Sequence, residues 1–525
     1  DSAEFQMAAW LGGFAHPTGY PLYLMLGWLW THLLPVRDPA FRMNLFSALW
    51  GAVAVGLVAL LAMRLMRFLR MPDPTGMYAT SWRNLSGLSR LVAFGAALVF
   101  IFTPTFWSQA VVAEVYTLHA AFVAAILLAL LLWGERRLAG QSAARPAYAV
   151  ALLFGLSLAH HRSTLLLIPG ALFFAAIVLR GRGWQRPTPR QVIIWFVCLL
   201  TPLLLYLYIP LRAPHVAYYA LPLGAGQSLP LYDATPAGFL AHVSGSVFSA
   251  SLVAPQRDAL DLRQLAARFV DEFSLNGLLL GAAGLIYLLY AGIARRSRRA
   301  WAALALTTSL FIIQILFNLF YAIGDIFVFY IPAYLVWVLW IALAGPGLVE
   351  LTGWLLGGQS DLARRRAAWL ASALMTAILL AFAYRAAVVF WPKTQQAAND
   401  SARRAWEALL ASDLPPYAVL ISNDRDEMVP LFYLSFVEGR RVDLTGLFPL
   451  ISAGDGWRNV GRVLDRALET GRPVRLVKPM PGLEVKADVA SAGGARAGGL
   501  GPPYAVQAYA PDPALRAASV DFGDT

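Results

Sequence analysis

The 525-residue chain holds one cysteine, three lysines and seven histidines, and charged residues make up only 14% of it. Cys198 stands alone inside an apolar run, which excludes an intrachain disulfide, a cysteine-rich metal site and a dithiol redox pair. The shortage of charge excludes an ordinary water-soluble fold, because a soluble domain draws roughly a quarter of its residues from Asp, Glu, Lys and Arg. The net charge of +12 rests almost wholly on arginine. Those arginines sit in short connections beside apolar runs, a pattern that orients membrane proteins and does not describe a nucleic-acid surface. No secretory leader is visible and the sequence opens on Asp1, so a preceding segment is expected.

Apolar residues are abundant, at 58% with a mean hydropathy of +0.58. Apolar runs of roughly 17 to 25 residues suffice to cross a bilayer as helices. Ten are read as spans: Phe41–Leu65, Leu91–Phe106, Ala113–Trp133, Ala147–His160, Ser163–Leu179, Val192–Pro210, Phe273–Ile293, Trp301–Phe320, Phe327–Leu343 and Ala367–Phe390. Ala147–His160 and Ser163–Leu179 are short and read either as two spans or as one broken helix. Arginine clusters in the connections 64–90, 134–146, 180–190, 295–299 and 361–366, and is missing from 105–112 and 321–326. Alternation holds only if the two short segments cross separately. The arginine-rich connections are then cytoplasmic, and Asp1, His16, Glu114, His160, His161, Arg162, Arg212, Asp325 and everything after Trp391 face the other side.

The expected fold class is an α-helical polytopic membrane protein with about ten visible spans and a small C-terminal α/β domain outside the membrane. Residues 1–40 form a first outer loop, in which Gly19–Leu34, rich in Trp and Tyr, suits an amphipathic helix lying in the interface. Residues 41–391 form the transmembrane domain, with a long outer loop from Ala213 to Asp271. Residues 392–525 form the outer domain: Ala418–Ser422, Val442–Leu447 and Val474–Val477 read as strands, Glu427–Val437 as a helix, and Ala490–Pro503 as a flexible Gly- and Ala-rich loop.

Polar residues at span ends are costly unless they pair or line a hydrated cavity. Here they concentrate on one side. The opening stretch DSAEFQMAAWLGGFAHPTGYP carries Asp1 and Glu4, then His16 and Tyr20 in a turn between helix-breaking residues. TFWSQAVVAEVYTLH carries Trp107, Gln109, Glu114, Tyr116 and His119; SLAHHRST carries His160, His161 and Arg162; YLYIPLRAP carries Arg212; NLFYAIGDIFVF carries Asp325. The blander readings are a paired carboxylate for Glu114, a snorkelling cation for Arg162 and interface anchors for most of the Trp and Tyr. Adjacent histidines project in different directions on a helix, which disfavours a metal site at His160–His161.

The motifs DSAEF, AHPTGYPLY, FRMNLFSALWGA, FWSQAVVAEVYTLHAAF, GLSLAHHRSTLLLIP, YIPLRA, IGDIFVFYIPAY and ISNDRDEMVPLFYLSFVEGRRVDLT follow one another along nearly the whole chain. In that order they resemble a bacterial family of multi-spanning proteins related to the eukaryotic transmembrane protein O-mannosyltransferases, within the GT-C glycosyltransferase superfamily. The resemblance implies a bacterial inner-membrane location, a polyprenyl-phosphate sugar donor, a hydroxyl acceptor on protein, lipid or glycan, an active site on the outer face, and another helix just before Asp1. It also implies an essential acid in the first outer loop, which falls on Asp1. The chain departs from the family pattern at Ala3, where Gly is usual, and at Arg425 inside Asn-Asp-Arg-Asp-Glu.

On this reading Asp1 accepts the acceptor's proton with Glu4 orienting it, and attack opposite the phosphate inverts the anomeric carbon. Arg162 and Arg212, with Arg42 behind them, are expected to hold the phosphate, because a planar guanidinium donates two parallel hydrogen bonds. His16, Tyr20, Trp107, Gln109, Glu114, Tyr116, His160, His161 and Asp325 are the further substrate-binding candidates. No cofactor is certain from the sequence; a divalent metal is possible but not indicated. A non-catalytic membrane subunit on the same scaffold and a lipid or solute transporter are the alternatives.

Overall fold

The structure, a computed structural model, describes residues 1–69, 86–180, 186–252, 262–356, 359–396, 399–450, 457–490 and 503–508. Two compact units divide the chain: Asp1–Met43, Tyr206–Val247 and Gln396–Thr525 form one, and Asn44–Leu205 and Phe248–Gln395 the other.

Among the described residues, eight helices are long and apolar enough to cross a bilayer: Pro39–Leu69, Tyr116–Leu138, Arg162–Leu179, Pro189–His215, Arg263–Ile293, Arg298–Phe320, Ile326–Leu355 and Leu362–Thr394. The bent pair Ser89–Ile101 and Pro104–Ala110 is long and apolar enough only when taken together, as a broken span or a re-entrant loop, and Ala144–Leu158 is a shorter apolar helix. The chain is a multi-pass membrane protein, and each span expected from its apolar run has a helix under it. The expected run Leu91–Phe106 is not straight. It turns by 74° where Thr103 adopts an extended conformation ahead of Pro104, because the proline ring disfavours helical geometry in the residue before it.

Ala144–Leu158 and Arg162–Leu179 are separated by His161, which is extended (φ −146°, ψ 127°) and leads into a 3-10 turn over Arg162–Leu167. The helix over Leu262–Ile293 is two pieces joined at a kink at Ser274 (φ 50°), one residue after Phe273, where the span was expected to begin. Helices approach closely where side chains vanish: a Cβ on Gly155 would collide with the Leu199 carbonyl, and one on Gly284 with that of Trp340. The second unit is built around the helix Ile331–Leu355, which buries Tyr334 and Trp340 and satisfies the Trp340 indole through Thr307 Oγ1 at 3.1 Å.

In the first unit, the opening stretch is not a loop. Ser2–Leu11 is an α-helix, α1, with Asp1 at its N-cap and Gly12 (φ 58°) closing its end. Helix α2, Pro21–Leu33, follows; at about 1.5 Å per residue its 13 residues fall short of the roughly 30 Å hydrocarbon layer. The segment after Ala213 contains a hairpin, β1 (Ala220–Gly224) with β2 (Gln227–Pro230), and helix α3, Pro236–Ser244. Residues 491–502, within the expected loop Ala490–Pro503, and much of the connections 64–90 and 180–190 lie outside the described residues.

After helix α4, Ser401–Leu410, the chain forms a five-stranded sheet in the order β4-β3-β5-β7-β6. The strands are β3 (Val419–Ile421), β4 (Thr445–Leu447), β5 (Val474–Leu476), β6 (Ala487–Ala490) and β7 (Tyr504–Ala508). Val419 of β3 lies opposite Thr445 and Val474, parallel to both neighbours, and β7 is antiparallel to β5 and β6. All three β3 residues are buried, as a central parallel strand covered on both faces requires. Helix α5, Arg425–Phe436, links β3 to β4, and helix α6, Val460–Glu469, precedes β5.

Candidate active site

Asp1 and Glu4 are three residues apart on α1 and therefore share a face one turn long. The turn after α1 returns His16 to that face. Glu4 receives the His16 backbone N–H at Oε1 (3.0 Å) and His16 Nδ1 at Oε2 (2.5 Å). A carboxylate only accepts, so the imidazole proton toward Glu4 sits on Nδ1, and Nε2 is turned the other way. There it lies 3.5 Å from Asp1 Oδ2 and 3.5 Å from the Tyr20 hydroxyl. Phe5 packs beside the imidazole at 5.6 Å between ring centres. Asp1 is 26% exposed, and Glu4 and His16 15% each, so the group is open to a reactant without being fully solvated.

The C-terminal α/β region adds a cation. Arg425, the first residue of α5, pairs with Asp1 Oδ1 and reaches Glu4 Oε2 at 3.1 Å. Sequence reading treats this arginine only as a departure from the family pattern, and that departure was the sole signal, since 421 positions separate it from Glu4.

The turn carrying His16 is fixed from the segment after Ala213. Tyr218 donates its hydroxyl to the Phe14 carbonyl at 2.6 Å and accepts the Phe14 N–H at 2.8 Å. Gly13 has no room for a side chain against the Tyr218 ring. Burial, reinforced by the nearby charge of Glu4, holds the Tyr218 hydroxyl well above the ordinary phenol range, so it stays a neutral donor. His242 on α3 is 8% exposed, and its Nε2 lies 3.1 Å from where a Cβ on Gly19 would stand. Burial, with a contribution from His16, lowers the His242 imidazole to about 4. Neither Tyr218 nor His242 carries a sequence signal, because both act through backbone or packing.

Two of the arginines expected at a phosphate are committed elsewhere. Arg212 donates to the carbonyls of Gly12 (2.6 Å) and Leu11 (3.0 Å), closing the end of α1. Arg42 donates to the carbonyls of Thr31 (2.7 Å), Val36 (2.9 Å) and Arg37 (2.8 Å). Arg212 finishes the end of α1, and Arg42 ties the last turn of α2 at Thr31 to the connection that follows it.

The remaining candidates belong to the second unit. Ser163 Oγ bridges His119 Nε2 (2.9 Å) and His161 Nδ1 (2.8 Å), and the His161 ring lies 5.7 Å from both Tyr116 and Phe329. His160 turns away to the Val115 carbonyl, 2.9 Å from its Nε2. Glu114 is half-buried, with its backbone N–H and carbonyl on the Ser47 hydroxyl. Gln109 is buried against Ser108, and Trp107 packs on Phe102 and Trp391. Arg162 and Asp325 are exposed, and among the described residues Arg162 makes no hydrogen bond or ion pair. The groups whose ligand atoms converge are instead Asp1, Glu4 and His16, with one atom of each within 4.8 Å of the others, the spacing of a divalent-cation site.

Residues 1–182 match the family model described as the protein O-mannosyl-transferase TMEM260 N-terminal domain. Mouse protein O-mannosyl-transferase TMEM260 is 33% identical over 177 residues, 33% of this chain and 22% of the mouse protein. The Dictyostelium discoideum tmem260 protein is 25% identical over 222 residues, 40% of this chain and 24% of that protein. The matched stretch thus spans under a quarter of either relative's length. In fold, the chain is similar to ArnT from Cupriavidus metallidurans, in its apo state and bound to undecaprenyl phosphate. Each superposition has a TM-score of 0.54 and covers 96% of this chain and 93% of ArnT, at 12% and 13% identity. The first third of the chain is therefore similar to the TMEM260 O-mannosyl-transferases, and the chain as a whole shares the fold of ArnT.

Proposed function

We propose that the protein is an inverting glycosyltransferase that moves a sugar from a polyprenyl-phosphate donor to a hydroxyl acceptor on the outer face of a bacterial inner membrane. The observation that carries this reading is the partly exposed Asp1 carboxylate, flanked by the Glu4-bound His16, inside the segment that matches the O-mannosyl-transferase model. A polyprenyl phosphate is a good leaving group, so the protein's task is to take a proton from the acceptor and hold the reacting groups in line. The acceptor hydroxyl gives its proton to an Asp1 oxygen as its own oxygen bonds to the anomeric carbon. The bond from that carbon to the phosphate oxygen breaks, and the electron pair leaves with the phosphate.

Glu4 fixes the His16 ring, and Arg425 holds Asp1 Oδ1, setting the carboxylate's orientation. The Leu-, Phe- and Val-rich spans supply the setting for a polyprenyl chain, in keeping with the undecaprenyl phosphate bound by ArnT. Mannose is the sugar named for the TMEM260 relatives, and it is the first donor to test. Arginine clustering in alternate connections supports an outward-facing site and C-terminal domain.

The test is to incubate the purified chain with polyprenyl-phosphate mannose and a Ser/Thr-containing peptide and to follow glycopeptide by mass spectrometry. Sugar on a peptide hydroxyl, with the anomeric configuration inverted, is the expected outcome. A folded protein that transfers no sugar from any prenyl-phosphate donor, yet moves a solute into vesicles, would replace this reading with a transporter.

A further inference from the structure

Asp1, Glu4 and His16 offer two carboxylate oxygens and a nitrogen at divalent-cation spacing, but a positive group already lies among them. Arg425 pairs with Asp1 Oδ1 and with Glu4 Oε2, the oxygen that also receives His16 Nδ1. The other Glu4 oxygen takes the His16 backbone N–H at 3.0 Å. A metal ion entering this group would have to evict the guanidinium from both acids. We propose that Arg425 is the resident cation of the site and stands in the place of a divalent metal.

Three features support a built position over a passing surface contact. Arg425 opens α5, whose first turn is pinned: Asp424 Oδ1 accepts the Asp426 N–H at 2.8 Å, and Glu427 is held by Lys478 at 2.8 Å and by the Ser422 hydroxyl at 2.5 Å. The planar fork suits two carboxylates at once, and each acid is matched to a different terminal nitrogen. Finally, a guanidinium keeps its charge at any working pH, so it cannot give way to a metal by losing a proton, as a lysine or histidine can. The same anchoring makes the C-terminal region part of the site: α5 delivers the charge that α1 and its turn lack.

The ion-binding half of this proposal stands by itself; the consequence that sugar transfer needs no divalent metal rests on the function proposed above. The experiment titrates the full detergent-purified chain with Mn²⁺, read by electron paramagnetic resonance, for the wild type, Arg425→Gln, Arg425→Lys and the double variant Arg425→Gln/Glu4→Gln. The expected result is a saturable site in Arg425→Gln at least tenfold tighter than any in the wild type or Arg425→Lys, and lost again in the double variant. Wild-type transfer should fall less than twofold in EDTA.

Stoichiometric, Glu4-dependent Mn²⁺ binding by the wild type overturns the proposal, as does an Arg425→Gln protein that binds no ion. Should Arg425→Gln fail to fold, the wild type decides: Mn²⁺ binding that Glu4→Gln abolishes overturns the proposal, and no binding with EDTA-resistant transfer supports it. Transfer that collapses in EDTA and returns with Mn²⁺ leaves the glycosyltransferase reading intact while sinking this one. Gain of the ion by Arg425→Gln in a protein that transfers no sugar does the reverse.

Discussion

His16 Nδ1 lies 2.5 Å from Glu4 Oε2, while the backbone N–H of the same histidine occupies the other Glu4 oxygen at 3.0 Å. One carboxylate thus fixes both the ring and the main chain of one histidine, and leaves its Nε2 turned toward Asp1. Glu4 and His16 should then behave as a unit. Glu4→Gln and His16→Ala are each expected to slow transfer at least tenfold, and the double variant to be no slower than His16→Ala alone. A double-mutant cycle on transfer rate checks this, with a coupling on the order of 1–3 kcal/mol expected for groups in direct contact. Multiplicative losses would mean that the two side chains act separately.

Tyr218 satisfies both polar backbone groups of Phe14 with one hydroxyl. Tyr218→Phe leaves a buried N–H and a buried carbonyl without that partner, at a cost of about 2–4 kcal/mol. The thermal midpoint of the purified protein should fall. Gly13→Ala should lower it further, since the new methyl meets the Tyr218 ring.

Arg212 is expected to matter for stability and not for donor binding, because its guanidinium is spent on the Leu11 and Gly12 carbonyls. Arg212→Gln should cost about 2 kcal/mol of stability and leave the KM for a polyprenyl-phosphate sugar within twofold of the wild type. A KM raised tenfold or more, with an unchanged thermal midpoint, would return Arg212 to the phosphate.

His242 gives stability a definite pH dependence. Its imidazole titrates near 4 in the folded protein, against 6.5 ordinarily. Between those values the unfolded chain holds a proton that the folded one does not. Stability from this group is therefore fully present above about 6.5 and declines as pH falls toward 4, by about 3 kcal/mol in all. The groups facing it are His16, Glu4 and the Ala15 carbonyl. Thermal midpoints measured from pH 7.5 to 4 should drop less steeply for His242→Gln than for the wild type.

The spans were legible because a helix in hydrocarbon must be apolar over its whole length, so Phe41–Leu65 and Trp301–Phe320 announce themselves by composition. The strands at Ala418–Ser422 and Val474–Val477 were legible for a related reason, being short apolar runs between polar segments. The hairpin Ala220–Pro230 was hidden, since Pro222 and Pro230 argue against strands and only its pairing overrides them. Helix α1 was hidden by its setting. Its Asp1 and Glu4 have the spacing of a helix start, but Asp1 makes no side-chain cap and Glu4 accepts from His16 instead. Asp1, Glu4 and His16 stood out in the opening stretch, and the structure brings those three together. Which arginine faces them was not readable, because Arg425 arrives through the tertiary fold, whereas Arg42 and Arg212 sit nearer in sequence and are spent on backbone carbonyls.

On the proposed function Asp1 is the group on which the chemistry turns, and a single substitution examines it. Asp1→Asn keeps the size and much of the hydrogen bonding of the side chain while removing its capacity to take a proton. With polyprenyl-phosphate mannose and a hydroxyl acceptor, Asp1→Asn should transfer sugar at least a hundredfold more slowly than the wild type, with helical content and elution profile unchanged. Equal transfer by a folded Asp1→Asn protein would contradict the account.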